Sequence, residues 1–443
     1  MYIIFWILSI KLFHNSVSHL SDLLYRYPVR SSPNPLNFCV FLTFLIFLAS
    51  GLVKKIFYVI IRCYKSKSES KRESRMKHIF TLFKNIDRWL IAIVLCFLMI
   101  SIIMISSTAY AGTFVLTRKI IVQVIAYGLG FGILSLILLM DYKLFENMEK
   151  FIYVGSLLFL LTVYTPLGDN QYGAQGWLKI GPLNLQPAEL VKVAFILVFA
   201  NYLCRHMEEL HTFKALVKCG LYLAPFVLLV LKQNDLGNAL VFCVIAAVMI
   251  FMAGVNGKLY AGCIAAVMAM MPVAYQLMAT HQKQRIDAFL NPDDLNLPGN
   301  YHVWMSKVAI GSGGLFGKGL FKGTQKELKF LPVQESDFIF AVIVEELGFL
   351  GGGIVIGLYG AFLYRILNIA RNAKDYYGGL IAIGIFAMFL FQIFENIGMT
   401  MGVMPVTGIT LPFISYGGSS ILTNMIALGL VLNVGMRSKL INF

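Results

Sequence analysis

Apolar runs long enough to cross a lipid bilayer recur along the sequence and restrict it to one class of fold. Each is close to the ~20 residues that a helix needs to cross about 30 Å of hydrocarbon. Of the 443 residues, 58% are hydrophobic and only 13% are charged, which excludes an ordinary soluble globule. The sequence therefore predicts an all-α polytopic membrane protein, a transmembrane bundle of ten helices within 88–440. The ten runs are 88–109, 120–140, 151–165, 187–204, 215–231, 236–253, 258–279, 338–364, 378–401 and 410–436.

Basic residues favour one side of the predicted membrane. A first cluster lies in segment 62–88. Further lysines and arginines follow in every second loop, namely Lys143, Lys150, Arg205, Lys214, Lys218, Lys258, Arg365, Arg371, Lys374, Arg437 and Lys439. Because cytoplasmic loops are enriched in these residues, both ends of the ten-helix block are expected in the cytoplasm. The net charge of +15 then reflects topology. Nucleic acid binding is the weaker interpretation, since no soluble basic domain is predicted.

The region before the bundle, residues 1–87, allows two interpretations. It holds a further apolar run at about 36–61, followed by the polar stretch KSKSESKRES, which has the composition of a disordered linker. The run is either an additional anchor or dispensable, in which case Met76 is the start of a ten-helix protein. A cleaved signal peptide fits poorly, because Lys11 and histidines interrupt the first apolar stretch.

The stretch QPAELVKVAFILVFANYL, residues 186–203, places two charges inside a predicted span. Pro187 suits a first helical position, and Glu189 and Lys192 are three residues apart, so they share one face of the helix. Such charges cost roughly 2.5–3.5 kcal/mol each on insertion scales unless they are paired or face a wet cavity. Two hypotheses follow: a buried pair that holds this helix to its neighbour, or part of a substrate cavity.

One outward loop, 280–337, is much longer than the others, and loops of this length are usually functional or disordered. Its segment YHVWMSKVAIGSG predicts a short helix at the membrane surface. The glycine-rich segment GSGGLFGKG, residues 311–319, lacks a phosphate-binding ending and predicts a flexible loop. The loop also carries an outward excess of basic residues, which favours an anionic lipid headgroup or a diphosphate. The basic residues are Lys283, Arg285, Lys307, Lys318, Lys322, Lys326 and Lys329.

Other polar residues lie at the outward ends of the spans. The segment GVMPVTGITLPFISYGGSS interrupts the last two spans with prolines and glycines, and irregular backbone at this depth must be buried in protein or line a wet cavity. Together these features predict a cavity that opens outward and sideways to lipid. Trp177 is equally explained as an interfacial aromatic residue, and Asp235 as a helix cap. The candidate substrate-binding residues are Trp177, Lys179, Glu189, Lys192, Asp235, Arg285, Lys307, Asp337, Glu345, Ser415 and Tyr416.

Asp337 and Glu345 are eight residues apart, a spacing that places them on one face of a helix about two turns apart. The seven cysteines show no metal-type or CxxC spacing and are expected to be apolar fillers. No HExxH or Walker motif is present. We therefore expect no tightly bound cofactor.

Five segments in order resemble the SEDS family (shape, elongation, division and sporulation). They are GAQGWLKIGPLNLQPAELVK, QNDLGNAL, AIGSGGLFGKGLFKGTQ, LPVQESDFIFAVIVEELG and MPVTGITLPFISYGGSS. The resemblance covers about 88–440. GTQ at 323–325 and ENIGMTMGVMPVTGI are more similar to the RodA branch of the family than to the FtsW branch.

This resemblance implies a peptidoglycan glycosyltransferase in the bacterial cytoplasmic membrane. Such an enzyme polymerises lipid II, an undecaprenyl-diphosphate-linked substrate, at the outer face, and works with a class B penicillin-binding protein, a transpeptidase, in the elongation or division machinery. The donor sugar is α-linked and the product is β-1,4, so the reaction inverts, and one carboxylate that deprotonates the acceptor hydroxyl suffices. Lysine, arginine or a divalent cation, Mg²⁺ or Mn²⁺, would neutralise the leaving diphosphate.

The sequence departs from the family at the expected base. Family members usually read Asp-Pro-x-Gly-x-Gly-Tyr in the long loop, and counting back from Tyr301 reaches Leu295. Asp293 and Asp294 lie just before it, so Asp294 is the candidate base and Asp293 the alternative. Two other functions remain open: a lipid II flippase, and a non-enzymatic scaffold for a transpeptidase.

Overall fold

The computed structural model describes residues 84–109, 114, 116–166, 168–171, 174–180, 183–278, 280–324 and 334–438. The predictions about an extra span at 36–61, the linker and the start at Met76 lie outside these residues. The described part contains thirteen α-helices and three strands. The helices are α1 Arg88–Ser107, α2 Arg118–Leu139, α3 Leu144–Asn147, α4 Glu149–Leu161, α5 Pro187–Arg205, α6 Phe213–Lys232, α7 Leu236–Met252, α8 Gly257–Leu277, α9 Thr280–Leu290, α10 Asn300–Gly313, α11 Ile339–Arg371, α12 Tyr376–Met401 and α13 Gly418–Ser438.

Ten of these helices overlap the ten apolar runs: α1, α2, α4, α5, α6, α7, α8, α11, α12 and α13. Seven of them are long and apolar enough to span a bilayer. The other three fall short, because α4 has only 13 residues, α7 has 17, and the apolar part of α8 ends at Met270. The all-α polytopic class is confirmed, while the number of ten spans stays a prediction.

Helix α13 lies at the centre of the bundle and α8 at its edge. Of the most apolar 18-residue stretch of α13, 89% is buried inside the protein, whereas the same share in α6 is 22%. Helix α8 has no buried side chain among those described. Tyrosines fix its two ends: the Tyr260 hydroxyl donates to the Ala247 carbonyl at 3.1 Å, and the Tyr275 hydroxyl donates to Asp287 Oδ1 at 2.6 Å.

The segment 402–417, between α12 and α13, has irregular backbone, as the sequence predicted. We call it the connecting segment. Its residue Phe413 is fully buried and packs against the rings of Phe97, Phe362 and Phe389. Buried carbonyl groups outside helices need other donors, and here tyrosine hydroxyls supply them. Tyr359 donates to the Pro412 carbonyl at 2.5 Å, and Tyr127 donates to the Phe413 carbonyl.

The segment 311–319 was predicted to be flexible, and the structure contradicts this. Lys318 N donates to the Glu345 carbonyl at 3.0 Å, and Phe349 N donates to the Gly314 carbonyl at 2.8 Å, so the segment pairs with the backbone of α11. Helix α11 is kinked there, because Gly348 has φ 71° and ψ −170°. A methyl group on Gly317 would lie only 2.1 Å from the Glu346 carbonyl oxygen. These glycines permit close backbone packing rather than motion.

Residues 168–171, 174–180 and 183–185 form a small antiparallel sheet that the sequence did not predict. Its strands are β1 Gly168–Gln171, β2 Ala174–Ile180 and β3 Leu183–Leu185, in the order β1-β2-β3. In the register, Asp169 pairs with Trp177 and Lys179 with Asn184. The sheet precedes α5 directly and therefore lies at the same end of the bundle as Glu189.

We predict that Gly317→Ala destabilises the protein by at least about 1–3 kcal/mol, the usual cost of a non-glycine residue in such a backbone conformation. Gly317 has φ +80°, and the added methyl group meets backbone rather than a mobile side chain. The measurement is thermal unfolding in detergent. The matched control is Gly353→Ala on α11, where nothing lies within 4 Å of the new methyl group. Equal melting temperatures for the two variants would contradict the packing role of Gly317.

Candidate functional site

Glu189 and Lys192 form a buried ion pair in the first two turns of α5. The Lys192 ammonium lies 2.8 Å from Glu189 Oε1, and the side chains are 0% and 6% exposed. Lys192 also donates to Asn238 Oδ1 on α7 at 3.0 Å. The pair therefore holds α5 to α7, which supports the structural hypothesis. Glu189 Oε2 is buried without a hydrogen-bond partner among the described residues, so part of its bonding capacity is unused.

The ion pair continues into a network that includes Asp235. Asp235 Oδ1 accepts from Asn238 N at 3.0 Å and caps the start of α7. Its Oδ2 accepts from Asn238 Nδ2 at 2.8 Å and from Gln186 Nε2 at 2.9 Å. The helix-cap hypothesis for Asp235 is thus confirmed. We call Gln186, Glu189, Lys192, Asp235 and Asn238 the buried network.

Strand β2 covers the buried network, but Trp177 points the other way. A methyl group on Gly176 would lie 3.7 Å from Gln186 Nε2 and 3.9 Å from Asp235 Oδ2. Because successive strand residues face opposite sides, Trp177 and Lys179 occupy the opposite face from Gly176. Trp177 is half-buried and Lys179 is exposed. The structure therefore separates these two predicted residues from Asp235.

Asp337 lies just before α11 and against the connecting segment. Asn396 Nδ2 donates to the Asp337 carbonyl at 2.9 Å and to the Ile409 carbonyl at 2.8 Å. A methyl group on Gly408 would lie 3.6 Å from Asp337 Oδ2. Burial raises the pKa of the Asp337 carboxyl, although the Ser336 hydroxyl, 2.7 Å away, and the charge of Arg285 oppose the shift.

Glu345 does not share a site with Asp337, so the expectation that both lie on one helical face is wrong. Helix α11 begins at Ile339, after Asp337, and the i,i+8 spacing therefore carries no helical meaning. Glu345 is fully buried and pairs with Lys318 at 2.8 Å. The Lys318 ammonium also donates to Thr324 Oγ1 at 2.6 Å. Glu345 fixes the segment after α10 to the N-terminal part of α11.

Asp293 and Asp294 are exposed in the connection between α9 and α10. Asp294 Oδ1 accepts from the backbone and side-chain nitrogens of Asn296 at 3.0 and 3.1 Å. Asn300 Nδ2 donates to the Asp294 carbonyl at 2.9 Å and fixes the loop to the start of α10. A methyl group on Gly299 would lie 3.6 Å from Val406 Cγ2, so this loop rests on the connecting segment.

The predicted helix YHVWMSKVAIGSG is confirmed as α10, Asn300–Gly313. Its Ser306 is fully buried and donates to the Thr400 carbonyl at 2.8 Å. Exposed Lys307 lies over Gly402, where a methyl group would be 2.6 Å from the ammonium nitrogen. Gly402 caps the C-terminus of α12, a position where the helix dipole favours a cation.

Ser415 and Tyr416 tie the connecting segment to residues 335–336. The Ser415 hydroxyl donates to the Ser336 carbonyl and accepts from Leu411 N at 2.9 Å. Tyr416 N donates to the Glu335 carbonyl at 2.8 Å. The Ser415 hydroxyl is thereby engaged, which favours a structural part for this residue.

The sequence reasoning missed Glu395 on α12. Its carboxylate is 1% exposed, and Oε1 accepts from Thr407 Oγ1 at 2.7 Å. An available signal was the presence of an acid inside the predicted span 378–401, since such residues are rare and usually functional. Among the described residues, no group of three or more histidine, cysteine, aspartate and glutamate side chains is arranged to hold a metal ion, so a divalent cation stays a prediction.

Comparisons with known proteins identify what the chain resembles. Residues 87–440 match the FtsW, RodA and SpoVE family, described as cell cycle proteins. The peptidoglycan glycosyltransferase MrdB of Escherichia coli K12 is 33% identical over 359 residues, which cover 81% of this chain and 95% of that protein. Stage V sporulation protein E of Bacillus subtilis is 34% identical over 365 residues, covering 80% and 98%.

Two solved structures are similar over nearly their whole length. The rod shape-determining protein RodA of Thermus thermophilus is 29% identical, with a TM-score of 0.59, and the match covers 81% of this chain and 98% of that one. A chain from a structure of a peptidoglycan synthase complex that coordinates polymerization and crosslinking is 28% identical, with a TM-score of 0.68 and coverage of 80% and 99%.

We predict that Lys192→Met destabilises the protein by roughly 3–5 kcal/mol, because it leaves the buried Glu189 carboxylate uncompensated. Adding Glu189→Gln should recover part of that loss, since the double variant has no isolated charge. Thermal unfolding in detergent measures both variants. A double variant no more stable than Lys192→Met alone would contradict the ion-pair explanation.

We predict that Asp337→Asn is at least as stable as the wild type at pH 7. Because the pKa of Asp337 is raised on folding, the folded protein holds this proton to higher pH than the unfolded chain. Its contribution to stability therefore falls as pH rises from about 4 through the folded pKa. Asparagine mimics the protonated form and should remove that pH dependence.

The measurement is unfolding as a function of pH. The control is Asp141→Asn, whose carboxylate pairs with Arg437 and is half exposed. An Asp337→Asn variant less stable than the wild type at pH 7 would show that the charged form is favoured.

Proposed function

The chain belongs to the family of FtsW, RodA and SpoVE, and from this premise we propose that it is a peptidoglycan glycosyltransferase. It polymerises lipid II into β-1,4 glycan at the outer face of the bacterial cytoplasmic membrane. One observation carries the proposal: three acidic regions meet on residues 406–409 of the connecting segment. Val406 contacts Gly299 beside the Asp294 loop, Thr407 contacts Gly237 beside the buried network, and Gly408 faces Asp337.

This arrangement suits a substrate whose parts lie at different depths. The sugars of lipid II are in water, its diphosphate is at the membrane surface and its tail is in the bilayer. Asp294 is in an exposed loop, whereas the buried network lies deeper, at the N-terminal ends of α5 and α7. We assign the sugars to the Asp294 loop and the diphosphate to the level of Arg285 and Lys307.

Asp294 is the proposed general base, with Asp293 as the alternative. Its carboxylate takes the proton of the acceptor hydroxyl as the oxygen attacks the anomeric carbon of the donor. The bond between that carbon and the diphosphate breaks, and the configuration inverts from α to β. The leaving diphosphate is already anionic, so nearby cations stabilise it and no general acid is required. Arg285 and Lys307 are the candidate cations.

The proposed partner is a class B penicillin-binding protein in the elongation or division machinery. It is supported by the similarity to a chain of a peptidoglycan synthase complex. The flippase hypothesis gains less support, because Lys192 is fully buried and bonded to both Glu189 and Asn238. A translocation path would have to break these interactions in every cycle.

We predict that Asp294→Asn lowers polymerisation of purified lipid II by about 10²–10⁴-fold, the usual contribution of a positioned acid–base group. Asparagine keeps the shape and the Oδ1 acceptor that bonds Asn296 but removes basicity. Gel analysis of glycan chains made with the partner present provides the measurement. The matched control, Asp141→Asn, changes a half-exposed acid just after the C-terminus of α2, at the end expected in the cytoplasm, and should retain activity.

Two outcomes would contradict the assignment at different levels. Normal glycan synthesis by the Asp293→Asn, Asp294→Asn double variant would move the base to Asp337 or Asp235. Failure of the wild-type protein to polymerise lipid II in the presence of its partner would overturn the proposed function itself.

A further inference from the structure

Glu395 is a buried acid without a cationic partner in the described part of the chain. Thr407 Oγ1 donates to its Oε1 at 2.7 Å, and the residue is 1% exposed. A buried carboxylate with a single neutral donor is costly compared with an apolar side chain of similar size. The preceding residue on α12, Phe394, is exposed and apolar, so the acid is confined to the inward face. Its presence there needs a reason beyond packing.

Thr407 lies where the connecting segment passes the start of α7. Its carbonyl oxygen would be 3.0 Å from a methyl group on Gly237, and its Cβ would be 3.1 Å away. Gly237 directly precedes Asn238, which accepts from Lys192. On the other side, Val406 touches Gly299 beside the Asp294 loop. The neighbouring residues Val406 and Thr407 therefore connect the Asp294 loop to the buried network.

The connecting segment depends on side-chain bonds because it has no regular backbone pairing along 405–410. Val403 N donates to the Gly398 carbonyl at 2.8 Å, and Asn396 donates to the Ile409 carbonyl at 2.8 Å. Between these two attachments, Glu395–Thr407 is the side-chain bond to α12. Without it, residues 405–408 have no hydrogen bond to α12 in the described part of the chain, and only packing near Gly299 and Gly237 holds them.

We propose that Glu395 is a positioning residue: through Thr407 it fixes residues 406–408 and so sets the Asp294 loop at the correct distance from the buried network. The inference rests on the proposed function and adds a residue to it. Glu395 touches neither the reacting sugars nor the diphosphate. Its effect is geometric, and a misplacement of about 1 Å at a reacting group lowers rates about 10²-fold.

The test compares variants in lipid II polymerisation with the partner present. Glu395→Val and Thr407→Val each remove the bond and should lower kcat about 10–100-fold, with KM for lipid II within about threefold. Glu395→Gln keeps an oxygen acceptor and should stay within about threefold of the wild type. The double variant Glu395→Val, Thr407→Val should be no worse than either single variant, because both remove one shared bond.

The matched control is Thr423→Val, a buried threonine on α13 whose hydroxyl bonds within its own helix to the Ser419 carbonyl at 2.9 Å. It should retain normal kcat and KM. Thermal unfolding of each variant in detergent reports folding. Thr407→Val is nearly isosteric, so it decides the matter if Glu395→Val does not fold.

Three outcomes would overturn the inference. If Glu395→Gln is as inactive as Glu395→Val, the charge itself acts in the reaction. If KM rises while kcat is unchanged, Glu395 contributes to substrate binding rather than to geometry. If Thr407→Val behaves like Thr423→Val, the bond positions nothing. In all three cases an active wild type leaves the proposed function intact, whereas an inactive wild type overturns that function first.

Discussion

The fold depends on hydrogen bonds to the backbone of the connecting segment inside the bundle. Hydrocarbon offers no hydrogen bonds, so irregular backbone at this depth requires donors and acceptors from the protein. Tyr359 and Tyr127 donate hydrogen bonds to the carbonyl groups of residues 412 and 413, and Asn396 donates one to the carbonyl group of residue 409. These donors lie on α2, α11 and α12, so the segment also fixes the mutual positions of three helices. These attachments at residues 409, 412 and 413 give the candidate site a fixed support.

The polar groups around this segment form separate functional levels rather than one cluster. The buried network joins α5 to α7, Asp337 lies at the entry to α11, and Asp294 is in the exposed loop. Each lies next to a different part of residues 406–409: Gly299 packs near Val406, Gly237 packs near Thr407, and Asp337 faces Gly408. This division matches a substrate that extends from the bilayer into water. Glu345, by contrast, stabilises the segment after α10 and belongs to the architecture.

Much of the fold was predictable because spanning helices follow directly from apolar runs, and the i,i+3 spacing predicted the Glu189–Lys192 pair. The hydrogen bond from Lys192 to Asn238 was not predictable, because Asn238 is distant in sequence and the contact depends on how α5 packs on α7. The spacing of Asp337 and Glu345 misled because the helix begins between them. Glycines at 311–319 fit either a flexible loop or close backbone packing. The contact of Gly317 with the Glu346 backbone, which the sequence does not reveal, identifies close packing.

Helix α8, which has tyrosine contacts at both ends and no buried side chain among those described, has a consequence for how the molecule is held together. Side-chain packing does not set the position of its middle. Acyl chains fill that role, and their thickness and lateral pressure vary with lipid composition. The surrounding bilayer is therefore a structural element of this flank, and detergent replaces part of the protein's own scaffold.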